Sequence, residues 1–271
     1  MNTNLGFIGT GNMGAAMVKG IIRAGIIPPD AIYIYDADNE KAEALKCETG
    51  VKIGDSGGEV VENCGMIILA VKPNAIRKAL EECGNRFDSS KVLVSIAVGV
   101  PIKYYKSIIG SDKKVVRAMP NTPALIGEGM TLVCFDENIS DEEKKKVMEI
   151  FNCIGMAEVL DEKLMSEVTA LTGSSPAYVF MFIEAMADAA VLSGIPRDMA
   201  YKLAAQAVLG SAKMVLETGR HPGELKDQVC SPAGTTIEAV RYLEKNGFRA
   251  AVIEAMRQCA KRAREIGSMF E

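Results

Sequence analysis

The stretch LGFIGTGNMG, Leu5–Gly14, decides how the first half of the chain folds. Leu5–Ile8 is a short apolar run of strand type, and Met13–Arg23 repeats its apolar residues at helical spacing. Between them stand Gly9, Gly11 and Gly14, a G-x-G-x-x-G pattern in the strand–turn–helix setting that a dinucleotide pyrophosphate requires. Gly9 permits the tight turn, Gly11 lets backbone approach the phosphates, and Gly14 lets helix and strand pack closely. The helix start turns unpaired N–H groups and a positive dipole end toward an anion. Asp36 follows Gly14 by 22 residues, at the end of the next apolar run. A carboxylate there accepts hydrogen bonds from ribose hydroxyls and repels a 2′-phosphate, with Asp38 and Glu40 adding to the repulsion and only Lys41 offsetting it. These residues favour NADH over NADPH. A clearly higher kcat/KM with NADPH would contradict that expectation.

Outward from this turn the same rhythm continues. Leu5–Ile8, Ile32–Tyr35, Met66–Ala70, Val92–Ile96, Val115–Arg117, Met130–Cys134 and Met156–Val159 read as strands. Met13–Arg23, Glu40–Glu48, Glu59–Asn63, Ala75–Cys83 and Asp141–Ile154 read as helices between them. The alternation predicts a mostly parallel sheet covered on both faces. From Leu164 strands stop, and helices are predicted over Leu164–Leu171, Pro176–Leu192, Arg197–Thr218, Gly223–Val229, Thr236–Lys245 and Phe248–Ile266. The expected organisation is an α/β domain over 1–163 and an all-α domain over 164–271.

Composition narrows the function. Among 271 residues, 31 Lys and Arg face 35 Asp and Glu with no basic block, which argues against nucleic acid or an anionic membrane surface. The N-terminus lacks a secretory pattern, and no unbroken apolar run reaches roughly 18 residues, so no membrane span is expected. Seven cysteines stand scattered with no C-x-x-C pair, which predicts free thiols, no structural metal site and a cytoplasmic setting. The one histidine, His221, sits among turn signals in GRHPGEL and is expected to cap or turn rather than catalyse. Glu184 and Asp188 share a helix face, and the expected partner is solvent or a base such as Arg197. Pro176–Leu192 is apolar nearly all round, and a helix without a polar face is buried, so a partner chain is expected.

Three segments fall at strand ends, where open α/β sheets bind ligands: Ala70–Pro73, Ser95–Gly99 and Arg117–Pro123. Turn chemistry explains their glycines and prolines, but Lys72 and Asn121 less well. Late in the helical half, CSPAGTTI (Cys230–Ile237) interrupts the run with small residues. A loop of this kind at a helix start exposes N–H groups to an anion, and Ser231, Thr235 and Thr236 add hydroxyls. The plainer alternative is an N-cap by Thr235, with Pro232 and Gly234 as punctuation.

In this order, GFIGTGNMGAAM, LAVKP (Leu69–Pro73), SIAVGV (Ser95–Val100), RAMPNTP (Arg117–Pro123), LTGSSPAYVF (Leu171–Phe180) and HPGELKDQVCSPAGTTIEAV (His221–Val240) resemble the pyrroline-5-carboxylate reductase family over essentially the whole chain. The resemblance implies an NADPH- or NADH-dependent reduction of the C=N bond of 1-pyrroline-5-carboxylate to L-proline, the last step of proline biosynthesis. It implies a Rossmann-like domain followed by a helical domain that joins two chains, with dimers that often assemble into rings. It places the substrate carboxylate on the loop Ser231, Ala233, Gly234, Thr235 and Thr236, with Thr236 against the ring nitrogen as the catalytic residue. It assigns the cofactor to the turn Gly9, Thr10, Gly11, Asn12, Met13 and Gly14, to Val71, Lys72 and Pro73, and to Ala97 and Asn121. Near the adenine ribose many members carry an asparagine where this chain has Gly57, beside the candidate Ser56. β-Hydroxyacid dehydrogenases share the glycine-rich start but use a lysine early in the second domain, and this chain has none between Lys163 and Lys202. A dinucleotide-sensing module would not need the hydroxyl-bearing loop.

Overall fold

The computed structural model describes residues 4–270. In chain order the elements are β1 (Leu5–Ile8), α1 (Asn12–Ala24), β2 (Ile32–Tyr35), α2 (Asn39–Thr49), β3 (Lys52–Ile53), α3 (Gly57–Asn63), β4 (Met66–Leu69), α4 (Ile76–Cys83), β5 (Val92–Ser95), α5 (Ile102–Ile109), β6 (Lys114–Met119), β7 (Gly129–Phe135), α6 (Asp141–Asn152) and β8 (Gly155–Val159). There follow α7 (Met165–Val168), a π-helical turn at Thr169–Gly173, then α8 (Ser175–Leu192), α9 (Arg197–Thr218), α10 (Pro222–Val229), α11 (Thr235–Lys245) and α12 (Phe248–Ser268).

The strands form one sheet in the order β3-β2-β1-β4-β5-β6-β7-β8. The first six run parallel; β7 pairs antiparallel with β6, and β8 follows β7 in parallel. Strand order reverses between β1 and β4, so the glycine turn after β1 and the segment after β4 stand side by side at a topological switch point.

Alternate side chains of each strand face opposite layers. Phe7, Ile34, Ile68, Val94, Val116 and Val133 pack with Met17, Val18 and Ile21 of α1, Leu45 of α2 and Ile150 and Phe151 of α6. Ile8, Ile67, Leu69, Leu93 and Val115 pack on the other face with Val60 and Val61 of α3, Leu80 of α4 and Tyr105 of α5. Fully burying one such side chain contributes about 1.5–3 kcal/mol, so the apolar strands read from sequence find their cover on both sides.

Two elements, β3 and α5, are not among those the sequence predicts. The former is two residues long. The latter, IKYYKSII, is built from β-branched and aromatic residues of low helix propensity. Packing overrides that preference: Tyr105 is fully buried, and its hydroxyl lies 2.6 Å from Ser95 Oγ at the end of β5.

Two compact units emerge. One runs to Ser174 and takes up the chain again from Cys259; the other is Ser175–Gln258. The division after residue 163 read from the sequence follows the loss of strands, whereas these units follow packing. In the first unit the end of α12 returns to α7 and α5: Arg264 pairs with Glu167, and the Phe270 ring meets Tyr104 edge-on with centroids 5.0 Å apart.

Several buried charges in the first unit are held in pairs. Ser140 and Glu143 form a reciprocal capping box at the start of α6, and Lys114 Nζ donates to Glu143 Oε1 at 2.8 Å. Burial pushes the Glu143 carboxyl up, but the Lys114 ammonium and the Ser140 N–H and O–H outweigh it and hold the group below its ordinary value. A depressed carboxyl stabilises the fold above its unfolded pKa and loses that contribution as pH falls through the folded value. Glu143→Gln is therefore expected to cost about 1–3 kcal/mol at neutral pH. The gap from the parent should close in acid, read from urea unfolding at a series of pH values.

Candidate active site

The first functional element is the cleft at the switch point. It measures about 420 Å³ and is walled by Gly9, Gly11, Tyr35, Asp36, Val71, Lys72, Asn74 and Lys78, among others. A larger open cleft of about 1210 Å³ lies between α6 and β8, with mixed lysines and carboxylates on its walls. The smaller one carries the argument, because it sits where strand order reverses and where a helix begins.

Gly9 adopts φ +101°, and a Cβ on it would stand 2.6 Å from the Ala70 carbonyl oxygen. A Cβ on Gly14 would meet the Gly9 carbonyl oxygen at 2.4 Å. Both glycines are thus required by the turn itself. Gly11 is different: no atom lies within 4 Å of where its Cβ would be. The helix α1 takes Gly11 as N-cap with no side-chain cap and has no acidic residue in its first turn. Orphan N–H groups at this end therefore face space that an anion can occupy. These features fit a dinucleotide pyrophosphate.

Asp36 turns inward to the same loop. Its Oδ2 accepts from the Thr10 N–H at 2.6 Å and from the Thr10 hydroxyl at 3.0 Å, and its Oδ1 accepts from the Asp38 N–H at 2.9 Å. With about two acceptor positions per oxygen, one remains on Oδ1 for a ribose hydroxyl. The carboxylate expected to read the ribose thus also fixes the glycine turn, and Thr10, which is buried, serves Asp36.

The other expected cofactor residues divide. Gly9, Gly11, Asp36, Val71 and Lys72 line the cleft, while Thr10, Asn12, Met13, Gly14, Ser56, Pro73, Ala97 and Asn121 do not. Ser56 caps α3, its Oγ accepting from the Glu59 N–H at 3.2 Å. Pro73 opens a short 3₁₀ turn, and buried Ala97 follows Ser95 at the end of β5. Asn121 is committed within the protein: its Nδ2 donates to the Thr172 carbonyl at 2.9 Å, and its Oδ1 accepts from the Met130 N–H at 2.8 Å. Sequence reading missed Asn74 and Lys78, which face the cleft four residues apart. Their helical spacing directly after LAVKP was the available signal.

In the second unit, α10 stops at Val229 and α11 starts at Thr235. The N-cap is Gly234, not Thr235, and no side chain caps this end. The loop is a tight turn in which the Gly234 N–H donates to the Ser231 carbonyl at 3.1 Å. Ala233 has φ +54°, the one non-glycine residue at positive φ among the described residues. Such a conformation costs an alanine of order 1 kcal/mol. A Cβ on Gly234 would stand 2.3 Å from Ser231 Oγ. Plain capping therefore does not account for CSPAGTT: the start of α11 is open, and Ser231 and Thr235 are exposed beside half-buried Thr236.

Conventional acid–base groups are few here. His221 Nδ1 accepts from the Gly223 N–H at 3.0 Å and so caps α10. Asp188 pairs with Arg197, and Glu184 is exposed. Burial pushes the Cys64 thiol to about 12 and the Cys83 thiol to about 11, so neither is a thiolate at neutral pH.

Over residues 162–266 the chain matches a family model described as pyrroline-5-carboxylate reductase dimerisation, and over 4–99 one described as NADP oxidoreductase, coenzyme F420-dependent. The pyrroline-5-carboxylate reductase of Escherichia coli (strain K12) is 51% identical over 266 residues, covering 98% of this chain and 99% of that one. The chain belongs to the pyrroline-5-carboxylate reductase family. A second relative with that name, from Methanosarcina acetivorans, is 43% identical over 98% of both chains. The crystal structure of the Plasmodium falciparum pyrroline carboxylate reductase with NADP bound superposes with a TM-score of 0.88 at 36% identity, covering 98% of each chain. The Coxiella burnetii pyrroline-5-carboxylate reductase gives 0.92 at 32% identity, over 98% of this chain and 99% of that one. A Rossmann-like domain followed by helices is thus the architecture of the pyrroline-5-carboxylate reductases, and membership makes this chain an NAD(P)H-dependent oxidoreductase.

Proposed function

We propose that the chain reduces 1-pyrroline-5-carboxylate to L-proline, the last step of proline biosynthesis, using NADH or NADPH. The observation that carries the reading is the open start of α11. A helix N-terminus without a cap, behind an alanine held at positive φ and beside unused hydroxyls, suits a small carboxylate. The first unit's glycine turn, with Val71 and Lys72, holds the dinucleotide. When bound, the reduced nicotinamide supplies hydride.

The chain's own residues position and polarise. Amides at Gly234–Thr236 and the Ser231 and Thr235 hydroxyls fix the substrate carboxylate. Thr236 hydrogen-bonds the ring nitrogen and orients the imine carbon. A cyclic imine nitrogen can arrive already protonated, and the site then needs orientation and preorganised hydrogen bonds more than a strong acid. That accords with a single histidine spent on a cap. Asp36 retains the bias toward NADH, reduced by its bonds to Thr10 and Asp38 and by the nearby Lys72 and Lys78.

NADH oxidation should be rapid with the five-membered cyclic imine acid, and NAD reduction should be absent with hydroxyacids. Turnover of a hydroxyacid but not the imine would reject the assignment.

Residues 1–163 would bind the cofactor, and residues 164–271 would bind substrate and join subunits. Self-association is supported by the dimerisation model over the helical half. Within the chain only Ala187 of α8 is buried, while Phe180 and Met181 are 61% and 68% exposed. Glu162–Leu192 is long and apolar enough by length and composition to cross a membrane. The π-turn between α7 and α8 and the match to a dimerisation model favour a second copy as its cover, with dimers joined into a ring in the cytoplasm. Phe180→Asp with Met181→Asp should shift the sedimenting species to the monomer at micromolar concentration. An unchanged sedimentation coefficient would place the interface elsewhere.

A further inference from the structure

We infer that Asn121 is a positioning residue, which fixes the end of β6 to the π-turn at Thr169–Gly173 by supplying the donor that Pro176 lacks. The inference rests on the reductase reading for its effect on turnover, but not for the interaction itself.

In an α-helix a carbonyl accepts from the N–H four residues on, and were the helix to continue in α form through Thr172 that residue would be Pro176, which has none. The chain passes this point in a π-turn, with the Ser174 N–H donating to the Thr169 carbonyl at 2.9 Å. An orphaned carbonyl needs another donor. Asn121 Nδ2 provides it at 2.9 Å, and the same side chain uses its Oδ1 to hold the Met130 N–H at 2.8 Å, at the start of β7.

A second contact runs alongside. Asn121 is extended, at φ −124° and ψ 169°, so Met119, two residues earlier, faces the same side. Thr169 Oγ1 lies 3.2 Å from Met119 Sδ and 2.8 Å from the Met165 carbonyl oxygen. Two alternate residues at the end of β6 thus grip one turn. The end of β6 lies next to the end of β5, where Ser95 pairs with Arg117, so this grip sets the sheet edge beside Ala97. The amide donates to Thr172 from its nitrogen and accepts from Met130 at its oxygen, so one side chain holds both. RAMPNTP and LTGSSP are then two halves of one device, joined by a missing N–H.

The test uses the full chain with Asn121→Ala, Pro176→Ala and both together. Asn121→Asp, which keeps the acceptor for Met130 and loses the donor, serves as a second probe should the alanine variant fold poorly. Three quantities are read: the thermal midpoint without ligands, the NADH dissociation constant by nucleotide fluorescence, and kcat and KM for the imine. Asn121→Ala should lower kcat roughly tenfold while the NADH dissociation constant stays within about twofold. Pro176→Ala restores an N–H that can reach the Thr172 carbonyl, so in that background the losses in Tm and kcat should shrink by about half or more. Additive losses across the cycle would overturn the proposal. So would a tenfold weaker NADH affinity with an unchanged thermal midpoint, which would make Asn121 a cofactor ligand. If the parent does not turn over the imine, the reductase reading fails by itself, and the thermal cycle still decides whether Asn121 and Pro176 share one carbonyl.

Discussion

Thr236→Val is expected to lower kcat/KM for the cyclic imine acid by roughly 10²-fold, the range seen when one preorganised donor is lost from a reacting centre. Valine matches threonine in shape, so the start of α11 should persist and the change isolates the hydroxyl. Thr236 stands in the first turn of that helix, half-buried, and caps nothing there. Dinucleotide affinity should hold within about twofold, because the proposed cofactor residues lie in the other unit. Thr235→Val should act differently, raising KM more than it lowers kcat, since its proposed partner is the carboxylate and not the reacting bond. Steady-state kinetics on both variants separate the two roles. Equal kcat/KM for parent and Thr236→Val would remove this residue from the chemistry.

Gly11→Ala is expected to abolish tight dinucleotide binding while leaving the free protein as stable as the parent. In the structure no atom lies within 4 Å of a Cβ added at this position, and the backbone there, at φ −62°, suits alanine. Nothing in the fold opposes the methyl group. What it would enter is the space proposed for the pyrophosphate, so NADH affinity should fall roughly 100-fold or more, a binding loss of about 3 kcal/mol. Gly14→Ala is the contrast. Its Cβ would strike the Gly9 carbonyl oxygen at 2.4 Å, so the thermal midpoint and binding should fall together. Titration of NADH fluorescence beside ligand-free melting distinguishes the pair. A Gly11→Ala protein that binds NADH like the parent would show that the nucleotide does not cross this turn.

Much of the first unit is legible in sequence because buried parallel strands are short, apolar and β-branched, and IYIY, MIIL and VLVS each meet that description. The glycine turn is legible because steric demand leaves glycine alone at Gly9 and Gly14. Other parts depend on tertiary packing and leave little local trace. The helix α5 carries strand-type residues and holds because Tyr105 is buried. Strand direction is not encoded by alternation, so the reversal of β7 and β8 against the other strands emerges only from pairing. The return of α12 to the first unit rests on Arg264 and Phe270, whose partners lie far off in sequence.

The candidate site divides the same way. The break at CSPAGTT is visible in the sequence, yet composition does not tell that Gly234 rather than Thr235 takes the cap position, and that difference leaves the threonines unspent. Asn121 reads as a ligand contact because a polar side chain at a strand end usually faces the crevice. In the structure its amide meets the Thr172 carbonyl, 51 residues away, and the only hint of that bond in the sequence is a proline at 176.

Ala233 is cocked before anything docks against it. If this loop takes the substrate carboxylate as proposed, a bend already set in the folded chain leaves capture to freeze mainly the incoming ring. Swapping in glycine would relax the bend and ease the isolated protein slightly, yet hand the loop back its wobble, so a firmer fold would come with a looser grip.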